Sequence, residues 1–250
     1  MSKTIWITGA AGAIGSALAH SLSEQGHRLV LSGRHEDKLL ALSKQLPAES
    51  LVIPGDLSTD SAADVILQTA QQLNFIPNGF AHCVGSTLIR PLHLTSASDC
   101  HALFAQNYFS AFYALKAFVA LQLKNKSTAS VVLVGSLVAS AGFPNHEAIA
   151  SAKAAVASLA QSTAATYADK GIRVNAVMPG LTRSAISERL TGTPEALERN
   201  AKMNPMGIVG EGEDSAALIA FLLSDAARWI TGQIIGVDGG HAHLRPLPKT

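Results

Sequence analysis

The chain has 250 residues, of which 48% are hydrophobic and 15% charged, so it holds enough apolar side chains for a large core. Its formal net charge of +1 gives no basis for nucleic acid or a membrane surface as a partner. The two cysteines, Cys83 and Cys100, lack the paired spacing of a disulfide framework or a zinc site, and no metal is expected. No apolar run has the length of a signal peptide or a bilayer span, so we expect a cytoplasmic protein.

Seven short apolar runs predict β-strands, and they alternate with segments whose apolar residues recur at helical spacing. The predicted strands are residues 4–8, 27–32, 50–53, 79–84, 129–134, 172–177 and 233–237. The predicted helices are residues 11–25, 36–46, 61–73, 98–124, 146–170 and 213–224. Residues 182–204 are polar and punctuated by Pro and Gly, which predicts a mobile flap, and residues 241–250 are predicted to be a surface arm.

This alternation of nearly continuous apolar strands with helices is typical of a parallel sheet covered on both faces. No linker, internal repeat or low-complexity segment divides the chain. The sequence therefore predicts an α/β fold: a single Rossmann-like, doubly wound domain over residues 1–250, with a mostly parallel sheet of about seven strands.

A glycine-rich turn joins the first predicted strand to the first helix. Glycines there let the backbone approach a pyrophosphate, whose charge is favoured at a helix N-terminus. The alternative is a tight turn without a ligand, but the position in an alternating chain favours a dinucleotide site. Its predicted contacts are Thr8, Gly9, Gly12, Ala13, Ile14 and Gly15.

The second strand ends in Ser32-Gly33-Arg34, where NAD sites usually carry an acid that binds the adenosine ribose. A guanidinium group matches phosphate oxygens in a planar, bidentate arrangement. Arg34 therefore favours NADP(H), with NAD(H) possible, although a solvated surface arginine is the alternative interpretation.

Further motifs follow in chain order: Asp56-Leu57, the glycine of His82-Cys83-Val84-Gly85, Asn107, Ser136, Lys153, the segment 173–180 and the segment 230–240. With these motifs the chain resembles, nearly end to end, the short-chain dehydrogenase/reductase family. The resemblance implies that Asn107, Ser136 and Lys153 are catalytic. It implies that Asp56, Leu57, Gly85, Lys153, Pro179, Gly180 and Thr182 contact the cofactor.

The resemblance also implies a small-molecule carbonyl or alcohol substrate and a homodimer or homotetramer. Family members typically pair the fourth and fifth helices across a dimer interface. The aromatic residues of the predicted helix 98–124 suit core and subunit packing; they are Phe104, Phe109, Phe112 and Phe118.

One departure from the family pattern affects the chemistry. Ile149 stands four residues before Lys153, where the family carries the tyrosine of its Tyr-x-x-x-Lys motif. Isoleucine cannot donate a proton, and loss of a general acid typically slows a reaction by roughly 10²–10⁴-fold. His146, three residues earlier on roughly the same helical face, is a candidate donor. The alternatives are a His146 without chemical duty and a Ser136 that relays protons through Lys153 or water.

Three functions are compatible with these motifs. The leading one is an NADPH-preferring oxidoreductase that interconverts a carbonyl and an alcohol at an atypical active site. The first alternative is a non-catalytic dinucleotide-binding protein that acts by sensing or assembly. The second is an enoyl- or dienoyl-thioester reductase, in which the proton donor need not be a tyrosine.

Overall fold

The structure is a computed structural model that describes residues 2–245. These residues form one sheet of seven parallel strands, in the spatial order β3-β2-β1-β4-β5-β6-β7. The strands are β1 (Thr4–Thr8), β2 (Arg28–Ser32), β3 (Ser50–Val52), β4 (Gly79–His82), β5 (Ala129–Val134), β6 (Ile172–Pro179) and β7 (Ile234–Val237). The predicted doubly wound α/β fold is confirmed.

Helices cover both faces of this sheet. They are α1 (Ala13–Glu24), α2 (Glu36–Ser43), α3 (Ala62–Gln72), α4 (Ala97–Phe104), α5 (Ser110–Asn125), α6 (Glu147–Tyr167), α7 (Glu188–Thr191), α8 (Pro194–Lys202) and α9 (Gly212–Leu223). A π-helical turn (Ala105–Phe109) separates α4 from α5, so the predicted continuous helix 98–124 is interrupted.

Two apolar cores lie on opposite sides of the sheet, because successive side chains of a strand point to opposite faces. Trp6 belongs to the core shared with α3, α5 and α6, whereas Ile5 and Ile7 belong to the core shared with α1 and α9. Trp6 stacks on Phe80 of β4 with ring centroids 4.6 Å apart. The apolar runs of the sequence are therefore buried on both faces.

The strand order reverses between β1 and β4. After β3 the chain returns across the sheet, and β4 pairs with the other edge of β1. The connections that leave β1 and β4 consequently diverge at the carboxyl edge of the sheet. Such a switch point is where open α/β sheets bind ligands.

Strand β6 is longer than predicted. Met178 pairs with Gly236 and Pro179 with Val237, so the Pro-Gly sequence ends the strand two residues later than expected. Proline is tolerated there because it is the terminal strand residue, where its missing N–H costs little pairing.

The segment after β6 contains two helices, α7 and α8, which the sequence analysis did not predict; the mobility of residues 182–204 stays a prediction. We call residues 182–210 the flap. Thr193 caps α8 by accepting a 3.2 Å hydrogen bond from the Ala196 N–H, and Pro194 occupies the first helical turn. Asn200 is buried and donates to the carbonyls of Leu190 (2.9 Å) and Ala196 (2.8 Å). The flap therefore has a small packed centre of its own.

No helix within residues 2–245 combines the length and apolar character that a membrane crossing requires. Residues 246–250 of the predicted surface arm lie outside the described residues.

Candidate active site

The turn after β1 is closely packed against the end of β4. Gly9 has a φ of +66°, and a Cβ at this position would lie 2.7 Å from the Cys83 carbonyl oxygen. A Cβ at Gly15 would collide with the Gly9 carbonyl oxygen. Glycine is therefore required at both positions by backbone contact and, at Gly9, also by conformation.

The same turn fits a pyrophosphate. Gly12 is exposed and precedes α1 as its N-cap residue; having no side chain, it leaves the N–H groups of the first turn open to an anion. The turn is supported from behind by α9, since a Cβ at Gly212 would lie 2.5 Å from the Ala13 carbonyl oxygen. Ala13 and Ile14 form the start of α1 beside this opening.

Arg34 and Asp56 extend the site toward β2 and β3. Arg34 is exposed just beyond the end of β2, where its guanidinium group is free to meet a phosphate. Asp56 is exposed after β3, and its Oδ1 accepts a 3.0 Å hydrogen bond from the Ser58 N–H. Leu57 is 3% exposed and packs in the core beneath them.

Thr8 faces the interior rather than the opening. Its hydroxyl lies 2.9 Å from Nδ1 of His82, which is its register partner on β4. His82 is fully buried, and its Nε2 lies 3.1 Å from the Ser110 hydroxyl of α5. Burial, followed by the nearby Lys153 charge, lowers the pKa of His82 to about 3. His82 therefore stays neutral and joins β1 to α5.

The hydrogen bonds of Ser110 define the tautomer of His82. The Ser110 hydroxyl donates to the Gln106 carbonyl at 2.7 Å, so it accepts from Nε2–H of His82. Nδ1 is then the acceptor for the Thr8 hydroxyl. Thr8 and Ser110 are consequently connected through one imidazole ring.

Asn107 lies in the π-helical turn and is fully buried. Its Nδ2 donates to the Leu103 carbonyl (2.9 Å) and to the Ser86 hydroxyl (3.0 Å), and its Oδ1 accepts from the Ser86 N–H (3.2 Å). π-Helical turns are frequent at functional sites. These bonds hold Asn107 against the loop that follows β4.

Lys153 lies on α6 and is 6% exposed. Its Nζ donates to the Val134 carbonyl at the end of β5, at 3.1 Å. A Cβ built on Gly85 would lie 3.2 Å from Nζ of Lys153 and 3.3 Å from Oδ1 of Asn107, so both polar groups converge on this glycine. Burial lowers the pKa of Lys153 from 10.5 to about 8.

Ser136 and Ile149 lie on the two segments next to Lys153, the turn after β5 and helix α6. Ser136 lies half-buried two residues beyond β5, and its hydroxyl is 3.4 Å from the Val138 N–H. Ile149 is 3% exposed and lies one helical turn before Lys153 on α6. The turn after β5 and helix α6 thus carry a hydroxyl group, an ammonium group and an apolar side chain.

His146 is the N-cap residue of α6, which begins at Glu147 rather than at His146 as predicted. Its Nδ1 lies 2.7 Å from the Pro144 carbonyl oxygen, so Nδ1 carries the hydrogen and Nε2 remains available. The ring packs against Phe143 with a centroid separation of 5.7 Å. His146 and Lys153 are seven residues apart and lie on nearly the same helical face.

Pro179, Gly180 and Thr182 lie at the end of β6. The Gly180 N–H donates to the Val237 carbonyl at 2.9 Å, and a Cβ on Gly180 would lie 2.8 Å from Cα of Asp238. The Thr182 hydroxyl donates to the Gly180 carbonyl at 3.1 Å. Thr182 also pairs with Gly210, two residues before Gly212, which packs against Ala13 of the glycine-rich turn.

The structure thus brings Gly85, Asn107 and Lys153 into direct proximity, whereas Arg34 and Asp56 lie on the far side of the glycine-rich turn. Sequence reasoning missed the buried connection made by His82 and Ser110. A signal was present, because Thr8 and His82 are polar residues at the ends of two buried apolar strands.

Among residues 2–245, no group of three or more His, Cys, Asp or Glu side chains is arranged to hold a metal ion.

Comparisons with known proteins show which family the sequence and the fold resemble. A family model described as enoyl-(acyl carrier protein) reductase matches residues 9–242. The 2-(S)-hydroxypropyl-CoM dehydrogenase 3 of Xanthobacter autotrophicus is 30% identical over 96% of this chain and 96% of its own length. The glucose 1-dehydrogenase of Gluconobacter oxydans is 28% identical over 95% of this chain and 91% of its own length. A short-chain type dehydrogenase/reductase structure from Mycobacterium ulcerans has a TM-score of 0.90 and 28% identity, with 97% of this chain and 91% of that chain covered.

Proposed function

The chain belongs to the short-chain dehydrogenase/reductase family of oxidoreductases, and we propose that it interconverts a carbonyl and an alcohol with NADP(H) as the preferred cofactor. The names of the two relatives above specify different substrates, so the substrate is not carried over from either.

The convergence of Lys153 and Asn107 on Gly85 is the observation that carries this proposal. A buried ammonium group is costly unless it has partners. Lys153 has only the Val134 carbonyl as a bonded partner within the described chain, which leaves two of its N–H donors for a bound ligand. The ribose hydroxyls of a dinucleotide and the oxygen of a carbonyl substrate are suitable acceptors.

Each polar group of the cleft has a distinct role in the proposal. The glycine-rich turn binds the pyrophosphate, and Arg34 binds the 2′-phosphate that distinguishes NADP from NAD. Ser136 donates a hydrogen bond to the carbonyl oxygen, and Lys153 stabilises the negative charge that develops there. Asn107 holds the loop that carries Gly85 and Ser86. The nicotinamide, when bound, supplies hydride chemistry.

The proton has to come from a group other than Ile149, which we propose occupies the position of the family tyrosine. A lysine whose pKa is about 8 can release and regain a proton near neutral pH. We assign the proton to Lys153, with delivery through the Ser136 hydroxyl. His146, whose Nε2 is available, is the competing donor.

The test is NADPH and NADH oxidation against ketones, aldehydes and enoyl-thioesters, with Lys153→Ala, Ser136→Ala, His146→Gln and the surface control His101→Gln assayed in parallel. We expect ketone- or aldehyde-dependent oxidation that Lys153→Ala and Ser136→Ala reduce at least about 100-fold. We expect His146→Gln to behave like the control.

A large loss in His146→Gln would reassign the proton donor to His146. Turnover with enoyl-thioesters alone would favour the thioester reductase. Cofactor binding by calorimetry without any turnover would favour the non-catalytic alternative. A Kd for NADPH no lower than that for NADH would contradict the role of Arg34.

A further inference from the structure

A cavity of about 560 Å³ lies at the amino edge of the sheet, opposite the edge that carries Lys153. Its lining includes the residues that directly precede four of the parallel strands: Lys3, Asn78, Thr128 and Gly171. Strand β5 runs from the cavity, where Ala129 is part of the lining, to Val134, whose carbonyl binds Lys153. A parallel strand of this length spans about 17 Å, so the cavity is separate from the candidate active site.

The size of this cavity is that of a small-molecule site, for which volumes of about 300–1,000 Å³ are typical. We call it the amino-edge cavity. None of the residues assigned to the cofactor or to the reaction lines it. Its polar and charged side chains are therefore available for a different ligand.

Trp229 borders the amino-edge cavity and is 95% exposed, whereas Trp6, the other tryptophan of the chain, is fully buried. Tryptophan is highly buried on average, because its ring is the largest apolar side chain. A single exposed apolar residue needs no explanation by itself. This one stands at a cavity, where its ring offers a face on which a planar group can stack.

The same cavity collects positive charge. Three cationic side chains and one carboxylate line it, which leaves a formal excess of two positive charges: Lys3, Arg173, Arg228 and Asp225. Lys3 and Asp225 form an ion pair at 2.6 Å. Arg228 is exposed, next to Trp229 in the chain, and takes part in none of the ion pairs within residues 2–245. The two arginines therefore provide the excess charge.

Arg173 is fixed in the wall of the cavity by three backbone carbonyls. Its Nη1 donates to Ile230 at 3.0 Å, and its Nη2 donates to Leu222 at 2.9 Å and to Ser224 at 3.1 Å. A guanidinium group has five N–H donors, so two remain. Burial is the first cause of the lowered pKa of Arg173, which shows that its charge is poorly solvated. An anion in the cavity would compensate for this lost solvation.

Two uncharged polar side chains of the lining also have unused hydrogen-bonding groups. Oδ1 of Asn78 is buried and accepts no hydrogen bond from residues 2–245. The Thr231 hydroxyl accepts from the Val174 N–H at 3.1 Å, and its own hydrogen stays free to donate. A carboxamide such as that of Asn78 matches the edge of adenine, because it can donate one hydrogen bond and accept another.

We propose that the amino-edge cavity binds an adenosine 5′-phosphate, with the base stacked on Trp229, the phosphate held by Arg228 and Arg173, and the edge of the base bound by Asn78. Aromatic side chains stack on bases, and guanidinium groups bind phosphate oxygens in a bidentate arrangement. A phosphate monoester carries about two negative charges near neutral pH, which matches the excess in the lining. This site is additional to the dinucleotide site and does not depend on the proposed function.

The experiment follows tryptophan fluorescence during titration with adenosine 5′-monophosphate (AMP). Trp229 is the reporter, because Trp6 has no exposed surface on which a ligand could stack. We expect saturable quenching that is absent in Trp229→Phe. Arg228→Gln should raise the Kd for AMP at least about tenfold and leave the weaker binding of adenosine unchanged. By calorimetry, Trp229→Ala should weaken AMP binding at least about fivefold.

The matched control is Arg34→Gln, which changes the predicted cofactor site and should leave the quenching curve unchanged. A curve that shifts in Arg34→Gln as much as in Arg228→Gln would overturn the inference, because the signal would then report the cofactor site. Quenching that does not saturate, or an equal Kd for AMP in Arg228→Gln and the unaltered protein, would also overturn it. So would a Trp229 that acrylamide fails to quench in the ligand-free protein, since a second copy of the chain would then cover the cavity.

Discussion

Two buried titratable side chains, Lys153 and His82, have strongly lowered pKa values. Lys153 and His82 lie on either side of the loop after β4, and burial is the first cause of the lowered pKa of each. Both groups therefore disfavour protonation in the folded protein, but Lys153 becomes neutral near pH 8 and His82 near pH 3. The pH ranges in which they affect stability do not overlap.

Lys153 should destabilise the cofactor-free protein at neutral pH. Above pH 10.5 Lys153 is neutral in both the folded and the unfolded protein and does not lower the free energy of unfolding. As the pH falls from 10.5 to about 8, the unfolded chain takes up the proton first, so the free energy of unfolding decreases. We expect Lys153→Met to increase the free energy of unfolding at pH 7 by up to about 3 kcal/mol, with a gain that shrinks between pH 8 and 10.5. Urea unfolding at several pH values measures this; a constant difference across that interval would contradict the buried-charge explanation.

His82 should make the protein sensitive to acid before most carboxyl groups titrate. Its folded pKa of about 3 lies below the ordinary 6.5, so the stability that it contributes is complete above pH 6.5 and declines as pH falls toward 3. His82→Asn keeps a donor and an acceptor and should flatten this decline. The exposed His101→Asn is the matched control, and equal pH profiles for all three proteins in urea unfolding would refute the assignment.

The flap is attached to the rest of the fold at two places. Its two ends are held together where the Arg183 N–H donates to the Gly210 carbonyl (2.9 Å) and the Gly210 N–H donates to the Leu181 carbonyl (3.0 Å). Its far part is attached to the end of β7 by Asn204. The helices α7 and α8 are thus held between two fixed points.

Asn204→Ala removes the bond to Asp238 and the 2.9 Å bond that the Met206 N–H donates to Oδ1. Each such bond typically contributes about 1 kcal/mol. We expect faster amide exchange over residues 182–210 and an increase of roughly fivefold in KM, with little change in kcat. The exposed Asn125→Ala should leave both unchanged, and unaltered exchange in the Asn204 variant would show that the anchor is dispensable.

At the scale of the whole molecule, the sequence predicted the parallel sheet and the position of the glycine-rich turn, because both depend on local patterns. No local sequence pattern predicts the interruption of the helix at Ala105–Phe109. The π-helical turn depends on the hydrogen bonds of Asn107 with Leu103 and Ser86, and Ser86 is distant in the sequence. The helix α8 was overlooked although Thr193-Pro194 is a helix-start signal. The roles of the site residues and the oligomeric state stay predictions.

The two ends of the flap meet at its base. Because Leu181 and Gly210 meet at its base, we expect a change in the length or sequence of the residues between them to leave β6 and the glycine-rich turn in place. We therefore expect changes in substrate preference to arise in this one contiguous stretch of the gene while the rest of the fold is retained. A single scaffold can in this way give rise to descendants that differ in what they recognise and share the reaction that they carry out.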